Sequence, residues 1–506
     1  MTDVCLGFEV HQPYRVSQKF REDLARGKSA EELFDLYFDN SRNKEILQRV
    51  ARKCYLPAGR IILENIERAE SWGKKFKVCY SISGVLLEQL ERWAPDVLEL
   101  FKQLAATGCV EFLNQTYYHS LSSLFSAERE EFVEQVLMHR ALVRDLFGQE
   151  PEVFENTEFI YNNSIAKTVS MLGFRGIFTE GAERVLGWRS PNYVYRARDA
   201  DLKVFLRNGR LTDDIAFRFS AWDWPGFPLT ADKYAAWLAA TPGQCINIFM
   251  DYETLGEHQW PETGIHEFLR WLPGEVLKWE NLRFVTPSEL LRHEPVGEVD
   301  VFEYGTLSWA DVDKGVKAWL GNGMQLTCYR AVKEMEPYVK RLGDERFLKL
   351  WRMFQISDNI YYMYQEFGPS GMVHGYFSQM FPTDAFAVFT RVFSDFQEKL
   401  MENLPRERPS LVALRIFPPE KAFHFFEGGR YLGSVFSLLE LWEKLGDFPE
   451  SCLRANLEDL EKWVRWTIGD PPLADRILAL KSKPQVKQGL AELLAKRFEG
   501  MRVRGL

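Results

Sequence analysis

The stretch Cys245-Ile246-Asn247-Ile248-Phe249-Met250-Asp251-Tyr252-Glu253-Thr254-Leu255-Gly256-Glu257-His258 decides how the chain is read. It begins as a short apolar run, suited to a strand buried on both faces. Asp251, Glu253 and Glu257 then fall within seven residues, with Gly256 as a loop residue. A strand whose C-terminal end opens into carboxylates is where barrel enzymes place their chemistry. A strand followed by a solvated acidic loop gives the same local pattern, so the rest of the chain must separate the two.

Upstream, residues 3–10 form another apolar run and end at His11-Gln12-Pro13. Proline cannot continue a central strand, so His11 and Gln12 fall at the strand's exit. Residues 29–53 read as helical, with Leu33, Leu36 and Tyr37 on one face. Strands are expected at 76–83 and 108–113, the latter leading into Asn114–His119, and a periodic helix at 127–147. The run 154–160 brings Glu155, Asn156, Thr157 and Glu158 to a further strand end, before a helix at 164–172. Runs at 174–179, 202–206, 245–250 and 284–285 complete the series. Strands alternating with helices about seven times over roughly 290 residues indicate a parallel α/β sheet or barrel, and polar clusters at the strand ends favour the barrel.

From about residue 300 the rhythm becomes helical, at 311–322, 326–342, 344–366 and 383–403. The piece Leu404–Ser410, rich in Pro, Arg and Glu, reads as a linker. Short strands are expected at 411–417, 423–426 and near Tyr431, and helices at 435–445, 455–468 and 485–498. The expected organisation is an α/β chain with a barrel over 1–295, an α-helical region over 296–403 and a small C-terminal α+β accessory domain over 411–506.

Hydrophobic residues make up 46% and charged residues 27% of the 506, which is globular rather than disordered. The net charge of −9, with no long basic run, argues against nucleic acid and anionic membrane as partners. Seven scattered cysteines without a CxxC read as reduced core thiols of a cytoplasmic protein. No signal peptide or bilayer-length apolar span is visible. No two of the eight histidines have HxxxH spacing and no phosphate-cradling Gly motif or GxSxG elbow occurs, so no metal and no cofactor are expected.

What remains is carboxylates at strand ends, namely Glu9, Glu111, Glu158, Glu180, Asp251 and Glu253. Two carboxyl groups facing across a cleft are what glycosidic bond cleavage needs: one protonates the leaving oxygen, the other attacks the sugar or activates water. The rings of Trp222, Trp224, Tyr252, Trp260, Tyr117 and Tyr118 are candidates for stacking on sugars.

Five blocks, taken in order, then carry a family resemblance: Phe8-Glu9-Val10-His11-Gln12-Pro13, Gly108-Cys109-Val110-Glu111-Phe112, Phe154-Glu155-Asn156-Thr157-Glu158-Phe159, Met250–His258, and Ser357-Asp358-Asn359-Ile360-Tyr361-Tyr362 followed by Val373–Ser378. Over residues 4–400 the sequence resembles glycoside hydrolase family 57, the retaining α-amylase and α-glucan transferase family. The resemblance implies an incomplete seven-stranded (β/α)7 barrel completed by the helical region. It implies Glu158 as nucleophile and Asp251 as general acid/base, with His11, Glu111 and Asp358 lining the donor subsite. Gln12, Trp222, Glu253, His258 and Trp260 are further candidate substrate contacts, Glu253 as a neighbour that tunes Asp251. Phe159 stands where transferase members often carry Arg, and the fourth block opens Met-Asp-Tyr-Glu; both resemble the intracellular α-amylase branch. Asn359 departs from the aromatic residue or His expected after Asp358. The implied activity is retaining hydrolysis of α-1,4-glucosidic bonds in glucans or maltooligosaccharides. A 4-α-glucanotransferase or branching enzyme on the same scaffold is the nearest alternative. A metal-dependent polysaccharide deacetylase and a non-catalytic glucan-binding protein are the alternatives of another class.

Overall fold

A computed structural model describes residues 1–126, 128–366 and 380–499. They form two compact units, one of Met1–Tyr14 with Asn40–Ala318, the other of Arg15–Asp39 with Trp319–Leu506.

The first unit is built on β1 (Thr2–Val10), whose nine residues are all buried. Side chains alternate across a strand, so Val4, Leu6, Phe8 and Val10 face the surrounding helices, while Cys5, Gly7 and Glu9 face the barrel interior. Burying one such apolar side chain contributes about 1.5–3 kcal/mol. β2 (Val78–Ile82), β3 (Val110–Phe112), β4 (Val153–Glu155), β5 (Gly176–Glu180), β6 (Val194–Ala197), β7 (Lys203–Arg207), β8 (Cys245–Asp251), β9 (Leu282–Phe284) and β10 (Glu298–Val299) complete the sheet. Parallel ladders run β3–β2–β1–β8–β7–β5–β4. A bridge between Asn114 and Phe154 joins β3 to β4 and closes the ring of seven strands. β6 runs antiparallel on β7, and β10 parallel on β6, outside that ring; β9 pairs with the start of β1.

Helices Leu56–Ser71, Gly84–Trp93, Pro95–Ala106 and Ile265–Val276 pack on the outer faces of the strands. Ser83 starts the second of these, its hydroxyl accepting from Leu86 N–H.

The second unit gathers helices Gly323–Glu334, Glu336–Leu342, Glu345–Phe354 and Pro382–Asn403. Helix Ala30–Tyr37 joins it, the Tyr37 hydroxyl donating to Asp395 at 2.6 Å. An antiparallel hairpin, β11 (Phe423–Glu427) and β12 (Arg430–Val435), sits with helices Leu438–Lys444, Leu457–Lys462 and Val486–Phe498.

Several expectations are corrected. The helix read over 29–53 is broken where Phe38 becomes extended. Residues 311–322 hold only the turn Lys317–Leu320, with Asp311 and Lys314 at positive φ. The run Leu411–Phe417 is not a strand: helix Arg408–Leu414 crosses it, with Leu411, Val412, Ala413 and Leu414 all buried. A short apolar run buried on all sides carries no period that separates helix from strand. Val373–Ser378, quoted in the fifth block, lies outside the described residues.

All seven cysteines are buried free thiols. Among the described residues no helix is long and apolar enough to cross a membrane.

Gly7 sits where β1 and β8 press together inside the barrel. A Cβ there would lie 2.9 Å from Cys79 Sγ and closer still to the Phe249 ring. Gly7→Ala is therefore expected to destabilise the unit by about 2 kcal/mol, read as a lowered melting temperature.

Candidate active site

Polar side chains from the ends of β1 and β4 and from the segment after β3 form one chain, beside the end of β8. Asp251 ends β8 and is the register partner of Glu9 on β1, both on the interior face. Glu9 Oε1 accepts from Gln115 Nε2 at 2.9 Å and lies 3.4 Å from His119 Nδ1. His119 Nε2 in turn lies 3.4 Å from Glu158 Oε1. Glu9 and Glu158 are thus linked through His119, and Asp251 stands level with Glu9 on the neighbouring strand. Along this chain Glu9 and His119 are buried, whereas the Glu158 side chain keeps 17% of its surface exposed. That opening lets Glu158 meet a ligand.

Glu158 stands on a strained turn. β4 ends at Glu155, and both Glu158 (φ 60°) and Phe159 (φ 57°) adopt the left-handed conformation, which costs a non-glycine residue about 1–2 kcal/mol. Neighbours hold the turn. Asn156 Nδ2 donates to Ser123 Oγ and to the Ile160 carbonyl, Thr157 Oγ1 meets Thr116 Oγ1 at 2.6 Å, and Thr179 Oγ1 donates to the Phe159 carbonyl. Trp309 fixes the carboxylate itself: its Nε1 donates to Glu158 Oε2 at 2.8 Å, its backbone N–H to the Glu158 carbonyl, and its ring stacks on Phe159 at 4.9 Å. Strain maintained by this many contacts is typical of functional positions.

The loop after β8 is pinned from below. Glu253 is buried, accepts from the Tyr55 hydroxyl and from Gln12 Nε2 at 3.4 Å, and is pushed up from 4.5 to about 8, by burial first and then by the charge of Asp251. Glu257 is held by Arg49 at 2.6 Å. Gly256 (φ 139°) lies against the Lys53 carbonyl, where any Cβ would collide. His258 is half-buried, and loss of solvent around its ring lowers it to about 4, so the ring is neutral at pH 7.

The remaining residues named from sequence are dispersed. His11 stacks on His119 with ring centroids 4.0 Å apart, and its Nδ1 meets Ser83 Oγ. Gln12 is buried beside Glu253. Glu111 pairs in register with Cys79, and Cys79 with Gly7, so it lies deeper than Glu9; its carboxylate accepts from Ser288 N–H and Oγ. Glu180 is taken up by a buried ion pair with Arg207 at 2.9 Å. Trp222 and Trp260 are exposed, the latter with Lys53 Nζ over its ring. Asp358 belongs to the second unit, on the short helix Ser357–Tyr361. Tyr252 is not a stacking face: it is fully buried among Tyr55, Tyr80 and Phe101. Trp309, His119 and Tyr55 were not predicted; only His119 carried a signal, at the end of the polar run after the third strand. Among the described residues no group of three His, Cys, Asp or Glu is placed to hold a metal ion.

The sequence profile of glycosyl hydrolase family 57 matches residues 5–303, which include β1, β4 and β8. The chain belongs to this family. A relative from Methanocaldococcus jannaschii named "Putative alpha-amylase" is 47% identical over 414 residues, covering 80% of this chain and 86% of that protein. Among solved structures, a branching enzyme of the family from Pyrococcus horikoshii aligns with a TM-score of 0.56 at 16% identity, over 80% of this chain and 91% of that one. An exo-type maltose-forming amylase from a Pyrococcus species aligns at 0.52 and 14% identity, over 98% of this chain and 92% of that one. These likenesses speak for the fold. With the family and its amylase-named relatives, they make the chain a glycoside hydrolase acting on carbohydrate, with the reaction within the family left open.

Glu253 gives a pH signature. Its raised value means that the native state holds a proton that the unfolded chain releases near 4.5. Its contribution to stability is therefore complete below pH 4.5 and declines as the pH rises to about 8. Glu253→Gln, of the same shape but unable to titrate, is expected to flatten the fall in melting temperature between pH 5 and 8, roughly the window of that titration.

Proposed function

We propose that this chain is an α-amylase-like hydrolase that cleaves α-1,4-glucosidic bonds in starch- or glycogen-type glucans with retention of configuration. The observation that carries the reading is the partly exposed Glu158 carboxylate, fixed on a strained turn by Trp309 and His119, with Asp251 level with Glu9 on the interior face of the barrel.

Glu158 acts as nucleophile. One of its oxygens bonds to the anomeric carbon while Asp251 protonates the departing glycosidic oxygen; water then releases the sugar, with Asp251 as base. Glu253 keeps its proton at neutral pH and so adds no second negative charge beside Asp251. His11, Gln12, Glu111, His258, Trp222 and Trp260 are assigned to the substrate side. The chemistry belongs to the barrel of residues 1–295, extended to Ala318 because Trp309 touches the nucleophile. Residues 411–506 are assigned no step. The acid/base pair needs no cofactor, and the reading places the enzyme in the cytoplasm with an α-glucan or maltooligosaccharide as its partner.

Two measurements test this. Glu158→Gln is expected to lower kcat on maltooligosaccharides by more than about a thousandfold with the melting temperature little changed; wild-type turnover in that variant rules out Glu158. Proton NMR of the first product is expected to show the α-anomer, and a β-anomer would indicate inversion. Product lengths in the same reaction separate hydrolysis from transfer, since a transferase yields chains longer than its substrate. Trp309→Phe keeps the ring on Phe159 but removes the donor to Glu158, and is expected to cost about tenfold or more in kcat, an effect of the size of one charge-assisted hydrogen bond.

A further inference from the structure

Glu9 and Glu155 are two carboxyl groups buried together beneath the nucleophile. Glu9 Oε1 accepts from Gln115, and Glu155 Oε2 accepts from Ser81 Oγ at 2.8 Å. Glu9 Oε2 and Glu155 Oε1 are buried and receive no bond from any donor among the described residues. Gln115 Nε2 donates both to Glu9 Oε1 and to Ser81 Oγ, which donates to Glu155, so the two carboxyls are held in one buried cluster and placed to bond to each other. Two ionised carboxylates cannot do so, whereas one proton between them satisfies both oxygens and leaves a single negative charge. Burial, which raises both groups, favours that state; it pushes Glu155 up to about 7.

We propose that Glu9 and Glu155 share one proton and that the charge they retain makes them positioning residues for the nucleophile, acting through His119. The proposal rests on Glu158 being that nucleophile. His119 has an acceptor on each side: Glu9 Oε1 and Gln115 Oε1 face its Nδ1 at 3.4 and 3.0 Å, and Glu158 Oε1 faces its Nε2 at 3.4 Å. A ring so placed is held as imidazolium. The groups facing the acid pair are Cys79 on β2, His119 after β3, Glu158 after β4 and Asp251 on β8; His11 lies on the other face of the His119 ring. Among these, His119 is the one cation in contact with the pair.

The arrangement matters when the charge on Glu158 vanishes. As the Glu158 oxygen bonds to carbon and the glycosidic bond breaks, the carboxylate becomes a neutral ester, and the acid pair is left as the counter-charge of the imidazolium. His119 therefore keeps its proton through the intermediate. When water enters and gives its proton to Asp251, the Nε2–H is already in place to receive the returning Glu158 carboxylate.

The test compares charge with shape. Glu155→Gln leaves Glu9 ionised and bonded to the new amide, so one negative charge remains and, whatever the change in kcat itself, the alkaline limb of its pH profile is expected to stay in place. The double variant Glu9→Gln/Glu155→Gln keeps the volume but removes the charge. Its alkaline limb is expected to move towards acid by about one unit or more, with KM unchanged. An unshifted limb in the double variant, or the same shift in both, overturns the proposal. Should the double variant not fold, the infrared difference spectrum between wild type and Glu155→Gln at neutral pH decides: a carboxylic-acid carbonyl band supports the shared proton, and its absence overturns it. Because Glu158→Gln tests the nucleophile separately, either assignment can fail without the other.

Discussion

The site depends on a carboxyl group kept away from water. Glu9 lies at the end of the most heavily paired strand in the barrel, touching β2, β8 and β9 along its length. A carboxyl group there would be expensive if isolated, and the structure surrounds it with Gln115, His119 and Glu155. These partners come from two neighbouring strand ends, Gln115 and His119 after β3 and Glu155 on β4, so satisfying one buried group fixes the positions of both segments relative to β1. The order of the site follows from that requirement.

The turn at Glu158 shows the complementary principle. A left-handed pair at Glu158 and Phe159 would relax if left alone, and glycine at either position would relieve it. The chain instead keeps a carboxylate and an aromatic ring there. The ring fills the barrel interior against Phe249 and Phe178, and the same packing seats Trp309 over it. Core packing and the orientation of Glu158 are therefore one contact set, and a change that loosens the interior will also misplace the carboxylate.

Much of this was legible in the sequence because barrel strands are buried on both faces and read as apolar runs. The alternation of those runs with helices indicated a parallel sheet or barrel, the family resemblance implied its seven strands, and the polar residues ending them included Glu158, Asp251 and Glu253. Three kinds of feature were hidden. Helix Arg408–Leu414 is short and wholly buried, so its residues carry no helical stripe. Tyr252 looked like a sugar platform because sequence does not say that the first residue after Asp251 turns into the helix layer. Trp309 lies 151 residues from Glu158, in a segment without periodicity, and nothing local marks it.

The ring is not equally strong all round. β1 and β8 share seven register pairs, while β3 and β4 meet at the single bridge between Asn114 and Phe154, and β7 and β8 at the single pair Arg207–Asn247. The first of these thin seams is flanked by Gln115 and His119 on one side and Glu155 and Glu158 on the other. Amides at the two thin seams are the ones that solvent deuterium should reach first, while those of β1 exchange only on global unfolding. One of the two places where the barrel is most easily unzipped thus lies beside Glu158, so thermal inactivation can run ahead of the loss of secondary structure.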